Sequence, residues 1–251
     1  MAQQTQRYEI APITEAIIDL RVALREGLPL DVLRQISNDA AKEYSVVEQT
    51  IEAAGMLQVQ PGISASASAK QKHTGFRFTS REKKYILQRR LDGFTFSRLA
   101  PYESWKPFRD EAKQLWSHYR ETVEPNEIIR LAVRYINRID IPQPCELKDY
   151  FRTSPEVSED LPQQLAGFFM QLRIAQDDIG CELLINQTIA PPPRDDVISV
   201  ILDLDLFRKD NVAQNESQIW DFFEAIHARK NDVFEACITD KTRELFRSCQ
   251  S

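Results

Sequence analysis

Three arginines stand four residues apart in the segment RLAVRYINRID, which covers residues 130–140. In a β-strand this spacing places Arg130, Arg134 and Arg138 on one face, with roughly 13 Å between neighbours. Guanidinium groups in such a row repel one another unless each meets a carboxylate, a phosphate or water. The row therefore predicts one of two arrangements. It is a face that contacts an anionic ligand or an acidic partner, or it is a sheet face with Asp and Glu partners on the neighbouring strand.

The middle of the chain is basic, although the whole chain is acidic. Residues 81–138 carry 13 Lys and Arg against 8 Asp and Glu, whereas the 251-residue chain has a net charge of −6. This balance argues against a protein that binds nucleic acid over its whole surface, but it allows a local anion site. Phe94 and Phe96 alternate with polar residues there, a pattern that fits base stacking weakly and an ordinary core strand better. The candidate anion-binding residues are Arg89, Arg98, Arg130, Arg134 and Arg138.

A pair of carboxylates offers a different chemistry. Asp203 and Asp205 stand two residues apart in LDLDLF and share one face of a strand. Together with Glu15 they suggest a divalent-cation site, and hence a metal-dependent hydrolase or nuclease as an alternative function. The other interpretation is a solvated strand face that meets Lys or Arg across the sheet.

The common catalytic and cofactor motifs are missing from the sequence. It contains no Gly-rich phosphate loop, no G-x-S-x-G and no H-E-x-x-H, and its three histidines and four cysteines lack metal-ligand spacing. We therefore predict no catalytic residue, no metal site and no cofactor. The leading hypothesis is a non-enzymatic binding or regulatory protein.

Two elements carry residues with a predicted structural role. Ser104 is a plausible N-cap for a helix to about Tyr119, in which Trp105 and Phe108 begin a wide apolar stripe. A long strand is predicted from residue 128 to residue 141. It places Asn137 on its apolar side, where a buried amide needs hydrogen-bond partners from the backbone or another side chain.

The order of predicted elements indicates an α+β protein. Two β-α-β-β-β-α halves, residues 1–125 and 126–251, each end in a long helix with an aromatic face, and the halves form antiparallel sheet or sheets within one compact unit. No segment has the length and hydropathy of a secretory signal or a membrane span, so we expect a cytoplasmic protein without a membrane partner. A homodimer is also expected.

Four segments resemble a sporadically distributed family of uncharacterised bacterial proteins of similar length. They are APITEAIIDLRV, DGFTFSRLAPYESW, RLAVRYINRIDIP and IHARKNDVFEACIT. The resemblance covers nearly the whole chain and implies a bacterial protein of patchy occurrence, as accessory or defence-linked proteins are. It also implies a further alternative, a subunit of a multi-protein system without a ligand of its own. No enzymatic activity follows from it.

Overall fold

Among the residues that the structure describes, nine strands and several helices make this an α+β protein, which confirms the predicted class. The structure, a computed structural model, describes residues 8–23, 27–36, 38–58, 66–163 and 165–246. The strands are β1 (Ile13–Val22), β2 (Tyr44–Gln58), β3 (Ser66–Ser80), β4 (Tyr85–Arg90), β5 (Gly93–Leu99), β6 (Ile128–Pro142), β7 (Phe169–Gln176), β8 (Cys181–Ala190) and β9 (Val197–Arg208). They form one antiparallel sheet in the order β2-β3-β4-β5-β1-β6-β9-β8-β7.

The helices differ greatly in length. Two are long, and the others are short connections. They are a 3-10 helix (Leu30–Arg34), α1 (Asn38–Glu43), α2 (Trp105–Val123), α3 (Leu147–Tyr150), α4 (Glu216–Cys237) and α5 (Asp240–Glu244).

The chain divides into two compact units. The first unit contains the chain up to Ile18, Arg98–Ser104 and the chain from Arg130 onward. The second unit contains Asp19–Ser97 and Trp105–Ile129. The boundary predicted between residues 125 and 126 lies four residues before the point at which β6 enters the first unit.

The core of the second unit is an aromatic layer between α2 and the hairpin strand β5. Phe96 stacks on Phe108 with ring centroids 5.4 Å apart, and Phe94 meets Trp116 edge-on at 5.8 Å. This packing follows from the sequence, because α2 has apolar residues at helical spacing and β5 presents Phe94 and Phe96, two positions apart, on one face. The buried residues of α2 are Trp105, Phe108, Ala112, Leu115, Trp116, Tyr119 and Val123.

The core of the first unit is the strand pair β6–β9 with α4. The two strands pair without interruption from Leu131–Arg208 to Pro142–Val197. Asn137, 2% exposed, donates from Nδ2 to the Leu202 carbonyl oxygen at 3.0 Å, so the predicted buried amide is bonded to backbone. The buried residues of α4 are Ile219, Trp220, Phe222, Phe223, Ile226, Lys230, Val233, Phe234 and Cys237.

The first predicted half differs from the structure by one strand. Four strands, β2 to β5, separate α1 from α2, where the prediction has three. The additional strand arises because β2 and β3 pair over most of their length as a long hairpin. From β6 to α4 the observed order is β6-α3-β7-β8-β9-α4.

The hydropathy of the helices is relevant to the prediction that no segment spans a membrane. Among the residues described, none of the helices combines the length and the apolar character that crossing a bilayer requires.

Candidate anion-binding site

Two arginines of the β6 row are bonded to the carboxylates of β9. Arg134 donates from Nε and Nη2 to the two carboxylate oxygens of Asp203, at 2.8 and 2.7 Å. Arg130 donates from Nη2 to Asp205 Oδ2 at 2.8 Å, and its guanidinium carbon lies 4.7 Å from the centre of the Phe207 ring. The structure thus shows cross-strand acids beside both arginines, the second of the two arrangements considered from the sequence.

The third arginine of the row has a local set of acceptors. Arg138 donates from Nε to Asp140 Oδ1 at 3.0 Å and from Nη2 to Ser199 Oγ at 2.8 Å and the Pro191 carbonyl oxygen at 2.7 Å. Ser199 Oγ in turn donates to Asp140 Oδ1 at 2.5 Å. Each member of the row therefore has its own carboxylate, which lowers the positive potential that an added anion would meet.

The same contacts bear on the metal hypothesis for Asp203 and Asp205. Asp203 also accepts a hydrogen bond from Asn186 Nδ2 at 3.1 Å, and the hydrogen bond that Arg134 donates to Asp203 raises the pKa of Arg134 above its usual value. A divalent cation would have to displace these arginines. Within the described ranges, His, Cys, Asp and Glu side chains form no group of three or more that could hold a metal ion.

Arg98 also has an acidic partner within the first unit. Its Nη2 donates to Glu103 Oε1 at 2.9 Å, and the Arg98 side chain is 3% exposed, whereas that of Glu103 is 65% exposed. The carboxylate therefore reaches inward from the surface to a buried guanidinium.

Arg89, on β4 in the second unit, has a different environment. The residue is 1% exposed, and its Nε, Nη1 and Nη2 atoms are all buried without an acceptor among the described residues. The guanidinium carbon lies 5.6 Å from the centre of the Tyr119 ring. Burial lowers the pKa of Arg89 to about 10, so the side chain still carries a positive charge at neutral pH.

Arg90, the next residue along the strand, differs from Arg89 because its guanidinium group has several hydrogen-bond acceptors. Arg90 donates from Nη1 to Thr95 Oγ1 at 2.8 Å, from Nε to Asp92 Oδ1 at 3.2 Å and from Nη2 to Asp19 Oδ1 at 3.3 Å. Because successive side chains of a strand point to opposite faces, these acceptors serve Arg90 and not Arg89.

The backbone around Arg89 is held tightly. Gly75 of β3 lies opposite Arg90, and a Cβ added to it would lie 2.1 Å from the Arg89 carbonyl oxygen. Tyr119 donates its hydroxyl hydrogen to the Arg90 carbonyl oxygen at 2.8 Å. Close strand contact and this bond from α2 therefore fix where the Arg89 side chain leaves the sheet.

A second buried donor belongs to the same aromatic cluster. The Trp116 ring stacks on Tyr119 with centroids 5.4 Å apart, and its Nε1–H is buried without an acceptor in the part of the chain that the structure describes. Arg89 and Trp116 both contact Tyr119, so two kinds of unused hydrogen-bond donor lie on one aromatic side chain. Donors without acceptors in a buried, apolar setting suit an anionic group.

The sequence identified Arg89 but missed two other residues. Trp116 lies in the apolar stripe of α2, and no sequence signal shows that its Nε1–H lacks an acceptor. Lys230, 7% exposed, is the second, and its signal in the sequence is a lysine between Ile226 and Val233 in the buried series of α4.

Comparison with known proteins adds no assignment. No family model matches the chain, and no curated protein matches it. The chemistry of the residues described above is therefore the basis for a function.

Proposed function

We propose that this is a non-enzymatic binding protein whose second unit takes up a small anionic group at Arg89. The observation that carries the proposal is the buried guanidinium with three nitrogen atoms and no acceptor among the described residues. Of the five arginines nominated from the sequence, the other four each have a carboxylate partner.

The energetics favour a ligand over a purely structural role for Arg89. Removing a cation from water costs several kcal/mol even after the protein relaxes. A cation–π contact such as that with Tyr119 returns about 2 kcal/mol when it is desolvated. The difference is large enough that an anion with good hydrogen-bond geometry would stabilise the folded state.

The chemistry of the site favours a singly charged anion. The guanidinium group presents its donors in a planar fork that matches two oxygens of a carboxylate or a phosphate. A single positive charge beside Tyr119, whose ring in turn contacts Phe94 and Trp116, balances one negative charge. A dianion would retain an uncompensated charge in this apolar setting. A monocarboxylate with an apolar body is therefore the ligand class that fits best.

Access to Arg89 requires local movement, because the residue is almost completely buried. The 3-10 helix Leu30–Arg34 packs against β3, β4 and α2. Arg89 lies on β4, pairs with Phe76 of β3 and contacts Tyr119 of α2. It is a single short turn with one buried side chain, Leu33. We propose that displacement of this short helix is the local movement that admits the ligand.

Three wider proposals accompany this function. The motifs around Asp92 and Arg134 support membership of the bacterial family that the chain resembles, and a cytoplasmic location agrees with the hydropathy of the sequence. The order β6-α3-β7-β8-β9-α4 supports a pseudo-repeat, since the first half differs from it by one strand. Superposition of the two halves by a two-fold rotation is the test of that repeat.

Ligand-induced stabilisation tests the anion site. The melting temperature is measured with acetate, benzoate, phosphate and a short oligonucleotide at several salt concentrations, for the wild type, Arg89→Met and Arg134→Met. A ligand at a hundred times its dissociation constant stabilises a protein by about 2.7 kcal/mol. We expect benzoate to raise the melting temperature of the wild type and of Arg134→Met, but not of Arg89→Met. Equal shifts in all three proteins, or no shift with any anion, would overturn the proposal.

A further inference from the structure

The last strand in the sheet order, β7, has a free edge. It pairs with β8 in continuous register from Phe169–Thr188 to Gln176–Cys181. On its other side, no strand pairs with it among the residues that the structure describes. Its outward N–H and C=O groups are therefore a template for another strand.

β7 lacks the features that usually protect such an edge. Its sequence, FMQLRIAQ, contains neither Pro nor Lys, and its pairing with β8 has no bulge. The one charged residue, Arg173, is already bonded to Glu182 of β8. Two large apolar side chains are left in solvent, since Phe169 is 69% exposed and Ile174 is 40% exposed.

The two faces of β7 differ in chemistry. Met170, Leu172 and Ile174 lie on the face where β8 buries Gln187, Ile185 and Leu183. The other face carries Phe169 and Ala175 at its ends, and between them Gln171 donates to Asn186 and Arg173 pairs with Glu182. A strand added to β7 must therefore be apolar on one face and polar on the other.

The sequence of β7 meets this requirement when it is paired with itself. Two antiparallel copies keep the same face toward the core only when some residue lies opposite its own counterpart. With Leu172 at that position, Met170 of one copy lies opposite Ile174 of the other, Gln171 lies opposite Arg173, and Phe169 lies opposite Ala175. Apolar residues then meet apolar residues, and no like charges are opposed.

The competing alignment is unfavourable. Moving the centre by one position to Arg173 places two guanidinium groups directly opposite each other, and like charges in that position destabilise a strand pair. Other centres pair fewer residues. The strand thus has one favoured alignment with a second copy of itself.

We propose that two copies of the chain associate through β7, antiparallel and related by a two-fold axis at Leu172. The interface is isologous and continues the sheet from one copy into the other. It covers the exposed parts of Met170, Leu172 and Ile174, which lie beyond the buried apolar row of β8. This association is independent of the anion site, because Arg89 belongs to the second unit and β7 to the first.

Sedimentation measures the association. Interfaces below about 1,200 Å² are typical of weak complexes, so we expect the mean mass to rise with concentration in the wild type. Ile174→Lys introduces a charge opposite Met170 and should remain monomeric. Leu161→Lys, at a residue that is 57% exposed and outside β7, is the matched control and should associate like the wild type. A wild type that is monomeric at every concentration, or an Ile174→Lys variant that associates equally well, would contradict the proposal.

Cysteine cross-linking tests the alignment. Directly opposed residues of antiparallel strands have Cα atoms about 4.5–5.5 Å apart, within the range that a disulfide spans. Leu172→Cys should therefore give a covalent dimer under oxidising conditions, while Gln171→Cys, which lies opposite Arg173, should not. The wild type, oxidised in parallel, shows any cross-linking by the native cysteines. Equal cross-linking of Gln171→Cys and Leu172→Cys would overturn the two-fold axis at Leu172.

Discussion

The ammonium nitrogen of Lys230 lies 4.0 Å from the centre of the Tyr135 ring, inside the first unit. It donates a hydrogen bond to Asn231 Oδ1 at 2.6 Å, and the carboxylate of Glu235 also favours its charged form. Burial outweighs this stabilisation and lowers the pKa of Lys230 to about 7, from a usual value of 10.5. The folded protein therefore releases a proton there that the unfolded chain retains.

This difference predicts a rise in stability with pH. Between about pH 7 and pH 10.5 the unfolded state binds the Lys230 proton and the folded state does not, so the free energy of unfolding increases with pH. Below pH 7 both states are protonated and the full penalty for burying the charge is present. Relative to Lys230→Met, the wild type should gain on the order of 4 kcal/mol across this window.

Urea denaturation at pH 7, 8, 9 and 10 measures the effect as the difference between the two proteins, which removes the contribution of other titrating groups. Lys113→Met, at an exposed position of α2, is the control and should track the wild type at every pH. A difference between wild type and Lys230→Met that stays constant with pH contradicts the prediction.

Substitution of Arg89 and of Arg90 should have opposite effects without a ligand. Arg89→Met replaces an unpaired buried charge with an apolar chain, so stability should be unchanged or increased by about 1–3 kcal/mol. Arg90→Met removes a hydrogen-bond donor from Asp19, which is 8% exposed, and should lower stability by a similar amount. Chemical denaturation of the two variants measures the sign of each change in the free energy of unfolding. A loss of stability in Arg89→Met as large as that in Arg90→Met would show that Arg89 has a structural partner.

The Arg134–Asp203 pair predicts strong coupling between two residues. Asp203 has a side chain that is 7% exposed, and Arg134 has one that is 44% exposed, so the arginine is partly screened by solvent. Arg134→Met should cost about 1–3 kcal/mol, because it leaves a buried carboxylate with fewer donors. In a double-mutant cycle, Arg134→Met combined with Asp203→Leu should cost less than the sum of the single changes. Simple additivity would mean that the pair contributes nothing.

Asn137 provides a test of a buried side-chain amide that is bonded to backbone. Its Nδ2 faces the carbonyl oxygens of Leu202 and Tyr135, at 3.0 and 3.4 Å. Asn137→Asp places acceptors against acceptors and should destabilise the protein by about 3 kcal/mol or more, whereas Asn137→Ala should cost about 1–3 kcal/mol. Protonation of the new carboxyl group restores a donor, so the gap between the two variants should narrow as the pH falls toward 4. A gap that is independent of pH would argue against this orientation of the amide.

Local pattern was sufficient to predict two of the elements that carry candidate residues, α2 and β6. The helix containing Trp105 and Phe108 extends to Val123, slightly beyond the predicted end, and the strand predicted to end at residue 141 ends at Pro142. Both have long, regular apolar periodicity, which is the most reliable signal in a sequence.

Pairing between residues that are distant in the chain could not be predicted from the sequence. Arg134 and Asp203 were both selected, one as part of an anion site and the other as part of a metal site, yet they are partners 69 residues apart in the chain. Which strands become neighbours depends on topology, and local periodicity does not reveal it. The lack of a hydrogen-bond acceptor for Arg89 among the described residues could not be predicted either, because it depends on every group that packs around the side chain.

The ion pairs between β6 and β9 also have a consequence for how the chain reaches its native form. A slip of two positions between these strands keeps every apolar side chain facing inward, so hydrophobic burial alone does not distinguish it from the correct arrangement. The ion pairs do not distinguish it either, because Arg134 is bonded diagonally to Asp203, and a slip of two positions in one direction would place these two residues directly opposite each other. The correct alignment therefore depends also on the neighbouring strand β8, whose Asn186 donates to Asp203, so β6 and β9 should settle into register only once β8 has joined them.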